Sequence, residues 1–481
     1  MGALVKRMRD GGLSSLRTLK IEEAGPQGGG MKDLCSAFID AKRARRNVAI
    51  ETLSLSCKAA RYDGDILFQV TRALSADAFP SLRNLEVASY RVGFDALKSL
   101  VGSLRDGSLS LPTLERLRLQ NFYFEVTTRS SVSVMDLSAV LTKGFFPRLR
   151  VLDLQDVLVS AEGAAVLFRS LASDQAISLE ALHLSVGSLS ESLAQSICAG
   201  QYPFLQTFGV KYEAVIPFLK VAVSAEGPVP LSALDIVTGV NGIGEEGVRM
   251  IREGIVGGKI SGCVRVMKFE GVHKSWAFGE ESPLFEAFRS VPMPTLTFLQ
   301  PPVTSVQPKS ADSAYGALSE GMKRGNLPSL QRLYLLSDGR EVGKAGIEAL
   351  MEAALADRLL GLEELDLSEK RAVGEAAESL CAALGAGKLP KLRILNLKGC
   401  YLYDKGMVSF SDALRANDLI FLEQLFLEAN GIGDEGVGLL AASLKPSSLP
   451  MLSELTLTNR LGTGKGEITA EGGSAFGRAL S

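Results

Sequence analysis

The residues of this chain that could do covalent or metal chemistry are few: two histidines and six cysteines in 481 residues. A nucleophile needs a base within hydrogen-bond reach, and a metal needs three or four donors at ligand spacing. His183 falls on an inward strand position and His273 in a loop beside Trp276, and neither has a Cys or Asp at such a spacing. Cys35, Cys57, Cys198, Cys263, Cys381 and Cys400 are scattered, with no C-x-x-C. They read as buried, reduced thiols of a cytosolic or nuclear protein. The run Gly462–Gly466, GTGKG, has Gly466 where a phosphate loop needs a hydroxyl residue, and Gly28–Gly30 has no lysine. Lys42, Arg43, Arg45 and Arg46 fall at the end of a helical segment, where cations favour the dipole. The expectation is therefore a non-enzyme with no catalytic residue, cofactor or metal.

The elements that would position any other function repeat along the chain. In the stretch Leu419–Leu444, Leu419, Leu422, Leu425 and Leu427 give L-xx-L-xx-L-x-L, a short strand with alternating apolar positions. Asn430 and two glycines turn the chain, and Asp434 and Glu435 stand where carboxylates face the positive end of a helix dipole. Val437, Leu440, Ala441 and Leu444 then form one apolar helical face. Indexed by its second leucine-type residue, this unit recurs from Leu16 to Leu452 in about fifteen copies at a mean interval of about 31 residues. Pro80, Pro112, Pro147, Pro203, Pro294, Pro328, Pro390 and Pro450 each lie two residues before an index, where a strand tolerates a missing N–H. Gly144, Gly200, Gly325 and Gly387 precede four of them, as helix C-caps would. Helical spacing runs over Met31–Lys42, Phe94–Leu104, Ala161–Leu171, Glu246–Ile255, Ala345–Ala356 and Glu375–Leu384. Strands joined through helices must run parallel.

The segments LEQLFLEANGIGDEGVGLLAASL and LRILNLKGCYLYDKGMVSFSDAL resemble leucine-rich repeats of the ribonuclease-inhibitor type, with Cys400 and Asn430 at the position that family fills with Cys or Asn. The resemblance implies an α/β leucine-rich-repeat solenoid, a horseshoe with parallel strands on the concave face and helices on the convex face. It spans residues 1–481 as a single array and is sharpest from Leu327 to Leu457. The units at Leu205 and Leu231 are short, and Val264, Met267 and Phe269 replace leucines, which leaves the register there open. Insertions at Gly25–Gly30 and Asn121–Val134 lengthen loops, and the proline-rich Pro301–Pro308 predicts a kink near residues 292–312.

Acidic and basic residues nearly cancel at a net charge of −2, so nothing favours a nucleic-acid or membrane partner. No apolar run is long enough to cross a bilayer, and MGALVKRMRDGG is too short and charged for a signal peptide, so an intracellular, cytoplasmic protein is expected. What remains is the repeat surface, because residues between the leucines point away from the core. In the N-terminal half that lining is mixed: Lys20, Glu22, Arg116, Arg118, Asp153 and Asp156. In the C-terminal third Arg332, Tyr334, Glu364, Asp366, Glu369, Asn396, Phe426 and Glu428 make it aromatic and acidic. Aromatics ringed by charge resemble an interface hot spot, so Arg332, Tyr334, Glu364, Asp366, Phe426 and Glu428 are the candidate partner-binding residues. The leading expectation is a scaffold for another protein. A regulator resembling the repeat domain of Ran GTPase-activating proteins is the alternative, and no residue here matches a motif for it. A structural subunit is a third reading; GTP hydrolysis by small GTPases with and without the chain separates the second from the rest. Ala3, Leu4 and Met8 at one end and Phe476 and Leu480 at the other read as parts of further repeats, so a covered end or end-to-end association is also expected.

Overall fold

The computed structural model describes residues 2–10, 15–23, 29–45, 49–57, 66–89, 94–121, 137–142, 144–159, 161–173, 177–186, 189–211, 214–238, 244–269, 283–301, 308–335, 343–416, 419–444, 449–457, 468–470 and 473–474. His273, Trp276, the GTGKG run, Phe476 and Leu480 lie outside these residues, as does Arg46. Contacts divide the chain into two compact units, Met1–Ala222 with Val229–Ser232, and Val223–Pro228 with Ala233–Ser481. Each is an open parallel sheet whose strands follow chain order and alternate with helices.

In the first unit the strands are β1 (Thr18–Glu23), β2 (Thr52–Cys57), β3 (Asn84–Ser89), β4 (Arg116–Asn121), β5 (Val151–Val159), β6 (Ala181–Val186) and β7 (Thr207–Lys211). Between them run α1 (Gly2–Arg9), α2 (Gly29–Arg43), α3 (Ile66–Ser75), α4 (Phe94–Arg105), α5 (Ala161–Leu171) and α6 (Glu191–Cys198), with α7 (Val215–Ser224) after β7. Each strand begins two residues after its index leucine. Alternation buries Leu53 and Leu55, Leu85 and Val87, Leu117 and Leu119, Leu152 and Leu154 against the helices. Phe38 and Phe79 close one layer of that core edge-to-face at 4.6 Å. The register is residue for residue from β1 to β4, and β5 inserts a bulge between Leu154 and Leu158 where it meets β6.

The second unit carries β8 (Ala233–Thr238), β9 (Val264–Phe269), β10 (Phe298–Gln300), β11 (Arg332–Tyr334), β12 (Glu364–Asp366), β13 (Ile394–Asn396), β14 (Gln424–Phe426) and β15 (Glu454–Thr456). Its helices are α8 (Gly244–Val256), α9 (Pro283–Ser290), α10 (Pro308–Lys323), α11 (Lys344–Leu355), α12 (Ala372–Glu375), α13 (Ala377–Gly385), α14 (Tyr403–Ala416) and α15 (Asp434–Ser443). From β11 onward each strand is three residues long, yet the ladder continues past it, as in Leu367 N–H to Asn396 O at 2.9 Å and Gly399 N–H to Glu428 O at 2.8 Å. Gly325 and Gly387 close their helices at φ 80° and 67°, the left-handed cap, and Asp357 takes the same place at φ 61°.

β8 starts at Ala233, two residues after its Leu231 index, and Leu234 and Ile236 are fully buried. Ser232 N–H donates to Gln206 O at 2.9 Å, as Gln206 N–H donates to Glu180 O at 2.8 Å one repeat earlier. The ladder from β8 to β9 shifts register between Leu234 and Asp235, so Ile236 meets Met267. One local reading is corrected. The helical stretch Glu375–Leu384 is divided at Ala376, with Glu375 ending one short helix and Ala377 starting the next; the Gly374 N–H in the first piece also reaches Cys400 O at 3.0 Å. Across the region where the kink is expected, Phe298 keeps register with both Val266 and Arg332; residues 302–307 lie outside the description. Leu455 on β15, with Leu452 and Leu457 flanking it, is half-buried where Leu422, Leu425 and Leu427 are buried. No described helix is long and apolar enough to cross a membrane.

Candidate interaction surface

Strand alternation puts two parallel rows of side chains on the strand face of the second unit, opposite the leucines. One row runs Phe298, Arg332, Glu364, Ile394, Gln424, Glu454, each in register with the next. The other runs Tyr334, Asp366, Asn396, Phe426, Thr456. Five of the six expected residues stand in these rows, and Glu428 follows two residues after Phe426.

Tyr334 ties three strands together. Its ring meets Phe298 edge-to-face at 4.9 Å, and its hydroxyl donates to Glu364 Oε2 on the following strand. Arg332 lays its guanidinium over the Phe298 ring, 4.8 Å from the ring centre. Burial, then the Glu364 hydrogen bond and charge, push the Tyr334 hydroxyl far above its usual range, so it remains a donor. On the next strand, Asp366 accepts from Asn396 Nδ2 at 2.9 Å and from the Ser368 N–H at 2.9 Å. Thr456 donates to Glu428 Oε2 at 2.9 Å, with Lys398 Nζ 3.9 Å from the other oxygen. The surface is thus an ordered ladder of polar groups with two half-buried rings, Tyr334 and Phe426, set into it. Phe298 and Glu364 on the flanking strands cover Tyr334 in part. Gln300, next to Tyr334 and buried, donates to Phe269 O at 2.7 Å.

Phe298 was not anticipated, although it occupies the same offset from its index as Arg332 and Glu364. Lys370 was also missed. It stands thirty residues before Cys400 and sixty before Asn430, at the same turn position, and its side chain is fully buried.

The first unit presents a different strand face. Ser54, Ser56 and Ala88 are small, and with Lys20, Glu22, Glu86 and Gln120 they leave a depression of about 390 Å³. Glu86 accepts from Ser54 at 3.0 Å and from Arg118 at 2.9 Å, and Arg118 Nε lies 3.3 Å from Asp153. His183 is in register with Asp153 and turns its ring over Gly209, where any Cβ would strike it. Arg116 is exposed, and the Asp156 side chain is outside the description. Among the described residues no three His, Cys, Asp or Glu side chains are grouped to hold a metal ion. The cysteines described are free, and burial pushes Cys35, Cys381 and Cys400 up to about 12 and Cys198 to about 11. No protein-family model matches the chain, and no curated protein matches it.

Proposed function

We propose that this chain is a leucine-rich-repeat scaffold of the ribonuclease-inhibitor type that holds another protein on the strand face of its second unit, without catalysing a reaction. The observation that carries this reading is the ladder from Phe298 to Glu428. Its side chains are already fixed by one another, so a partner meets a surface whose ordering entropy has been spent in folding. Tyrosine, arginine and phenylalanine set among hydrogen-bonded carboxylates are the composition of an interface centre with a polar rim. The repeat type is supported by the turn position that Cys400 and Asn430 share, where the thiol and the amide each reach back to backbone carbonyls of the strand turn.

The acidic side chains Glu364, Asp366 and Glu428 favour a partner surface carrying basic residues around an apolar centre. Capture from native extract followed by lysine cross-linking tests the placement. Lys398 lies on the strand face beside Glu428, whereas Lys344 and Lys405 lie on helices. Cross-links from the captured protein to Lys398 are expected. Cross-links confined to Lys344 and Lys405 would assign binding to the helical side instead.

A further inference from the structure

The turns that lead from helix to strand in the second unit carry an exposed apolar stripe that the strand face does not use. Leu360 is 43% exposed, Ile420 47%, Phe421 49% and Met451 55%, and exposed Pro390 and Pro450 fill the places between them. These residues occupy the two positions before the index leucine in four consecutive repeats, so strand spacing sets the stripe at roughly 15 Å long.

The fold does not require apolar residues there. At the position just before the index, Thr113 donates its hydroxyl to Leu82 O at 2.7 Å and Thr295 donates to Val264 O at 2.8 Å, each tying one repeat to the one before. Phe421 and Met451 give up that bond and place large side chains in water. An exposed apolar strip edged by charge is the mark of a contact surface.

The charged edge indicates what the contact is. One residue past each index, on the strand side of the stripe, come Glu363, Arg393 and Glu423. Arg393 grips Glu423 through Nε at 2.9 Å and Nη2 at 3.0 Å, and lies 3.9 Å from Glu363. Consider a two-fold axis lying across the stripe between the Pro390 and Ile420 turns. It sets Arg393 of one copy opposite Glu423 of the other, and the reverse. It also sets Pro390 against Ile420, Leu360 against Pro450, and Lys391 against the ring of Phe421. Every row meets chemistry that suits it, as an isologous contact demands. We propose that two copies of this chain pair along this edge, antiparallel, about that axis. The contact leaves the strand face of each copy open, so it is independent of the proposed scaffold function.

Sedimentation velocity of the whole chain up to about 100 µM tests the pairing. The wild type is expected to dimerise, and Phe421→Glu to be monomeric over the same range with an unchanged melting temperature. Arg393→Glu and Glu423→Arg each place like charges opposite one another in a homodimer, so each alone loses affinity. Mixed one to one they form the complementary acidic and basic pair, and the dimer returns. A wild type that stays monomeric overturns the proposal. So does a dimer that survives Phe421→Glu, or a mixture that associates no better than either variant alone.

Discussion

Asn430 makes five hydrogen bonds to backbone from one buried side chain. Its amide donates to Leu397 O at 2.8 Å, Leu427 O at 2.9 Å and Glu428 O at 3.3 Å, and its oxygen accepts from Cys400 N–H at 2.9 Å and Leu402 N–H at 3.3 Å. One repeat earlier the Cys400 thiol donates to Leu367 O at 3.0 Å, doing part of the same work with a weaker donor. That arrangement has a pH consequence. Burial raises Cys400 to about 12, with the Lys370 backbone N–H opposing, and raises Cys35 and Cys381 to about 12 as well. An unfolded thiol ionises near ~8.5, so above that pH the unfolded chain has shed protons that the folded chain still holds. Stability from this source is therefore flat below about pH 8 and falls as pH rises beyond about 9. Melting temperatures between about pH 7 and pH 10.5 should show the fall, and Cys35→Ala with Cys381→Ala should make it shallower. Equal slopes for the double variant and the wild type would contradict the assignment. Asn430 and Cys400 were recognisable in the sequence through the repeat pattern. Lys370 was not, because a lysine there is read as surface until the thirty-residue register places it inside.

Helix starts in the second unit are capped from the neighbouring repeat. The N-cap residues of α11 and α15 are Gly343 and Gly433, which have no side chain to offer. Asp312 of α10 accepts from Gly343 N–H at 2.8 Å and Gly346 N–H at 3.0 Å. Asp404 of α14 does the same for Gly433 N–H at 2.7 Å and Gly436 N–H at 2.9 Å. Asp434 in turn accepts from Thr469 N–H at 2.8 Å and its hydroxyl at 2.6 Å. The sequence placed Asp434 correctly at the start of a helix. Its bonds to Thr469, thirty-five residues on, could not be seen in a local pattern. α11 and α15 are therefore each ordered by the helix before them, which couples those neighbouring repeats. Asp404→Ala should lower stability in denaturant by about 1–2 kcal/mol, the usual loss of a helix cap. Gly436→Ala should also destabilise, because a Cβ there runs into the Asp404 carboxylate. A loss within about 0.3 kcal/mol for Asp404→Ala would show that solvent caps these helices equally well.

At the scale of the molecule, the leucine rows decide the fold. Leu333, Leu365, Leu395 and Leu425 stand in register across β11 to β14 and are almost completely buried, so a charge in that row has no water and no counter-ion. Leu425→Asp should unfold the repeats around it, seen as loss of the cooperative melt of the second unit; a variant that melts like the wild type would overturn the register. Nearly every strand was legible because apolar spacing alone sets them; the register shift between β8 and β9 was not, because a slip between two strands leaves no mark on the spacing within either. Tyr334, Asp366 and Phe426 were legible as a surface by offset from those leucines. Their mutual bonds were not, since Tyr334 reaches both Phe298 and Glu364 only once three strands are laid side by side.

The claim on which the account rests is that this surface binds another protein. The most direct measurement is calorimetric titration of a captured partner into the wild type and into Tyr334→Ala with Phe426→Ala, with the melting temperature followed in parallel. The account predicts at least about tenfold weaker binding by the double variant, roughly 1.4 kcal/mol, with melting nearly unchanged. An equal affinity for both proteins would contradict it.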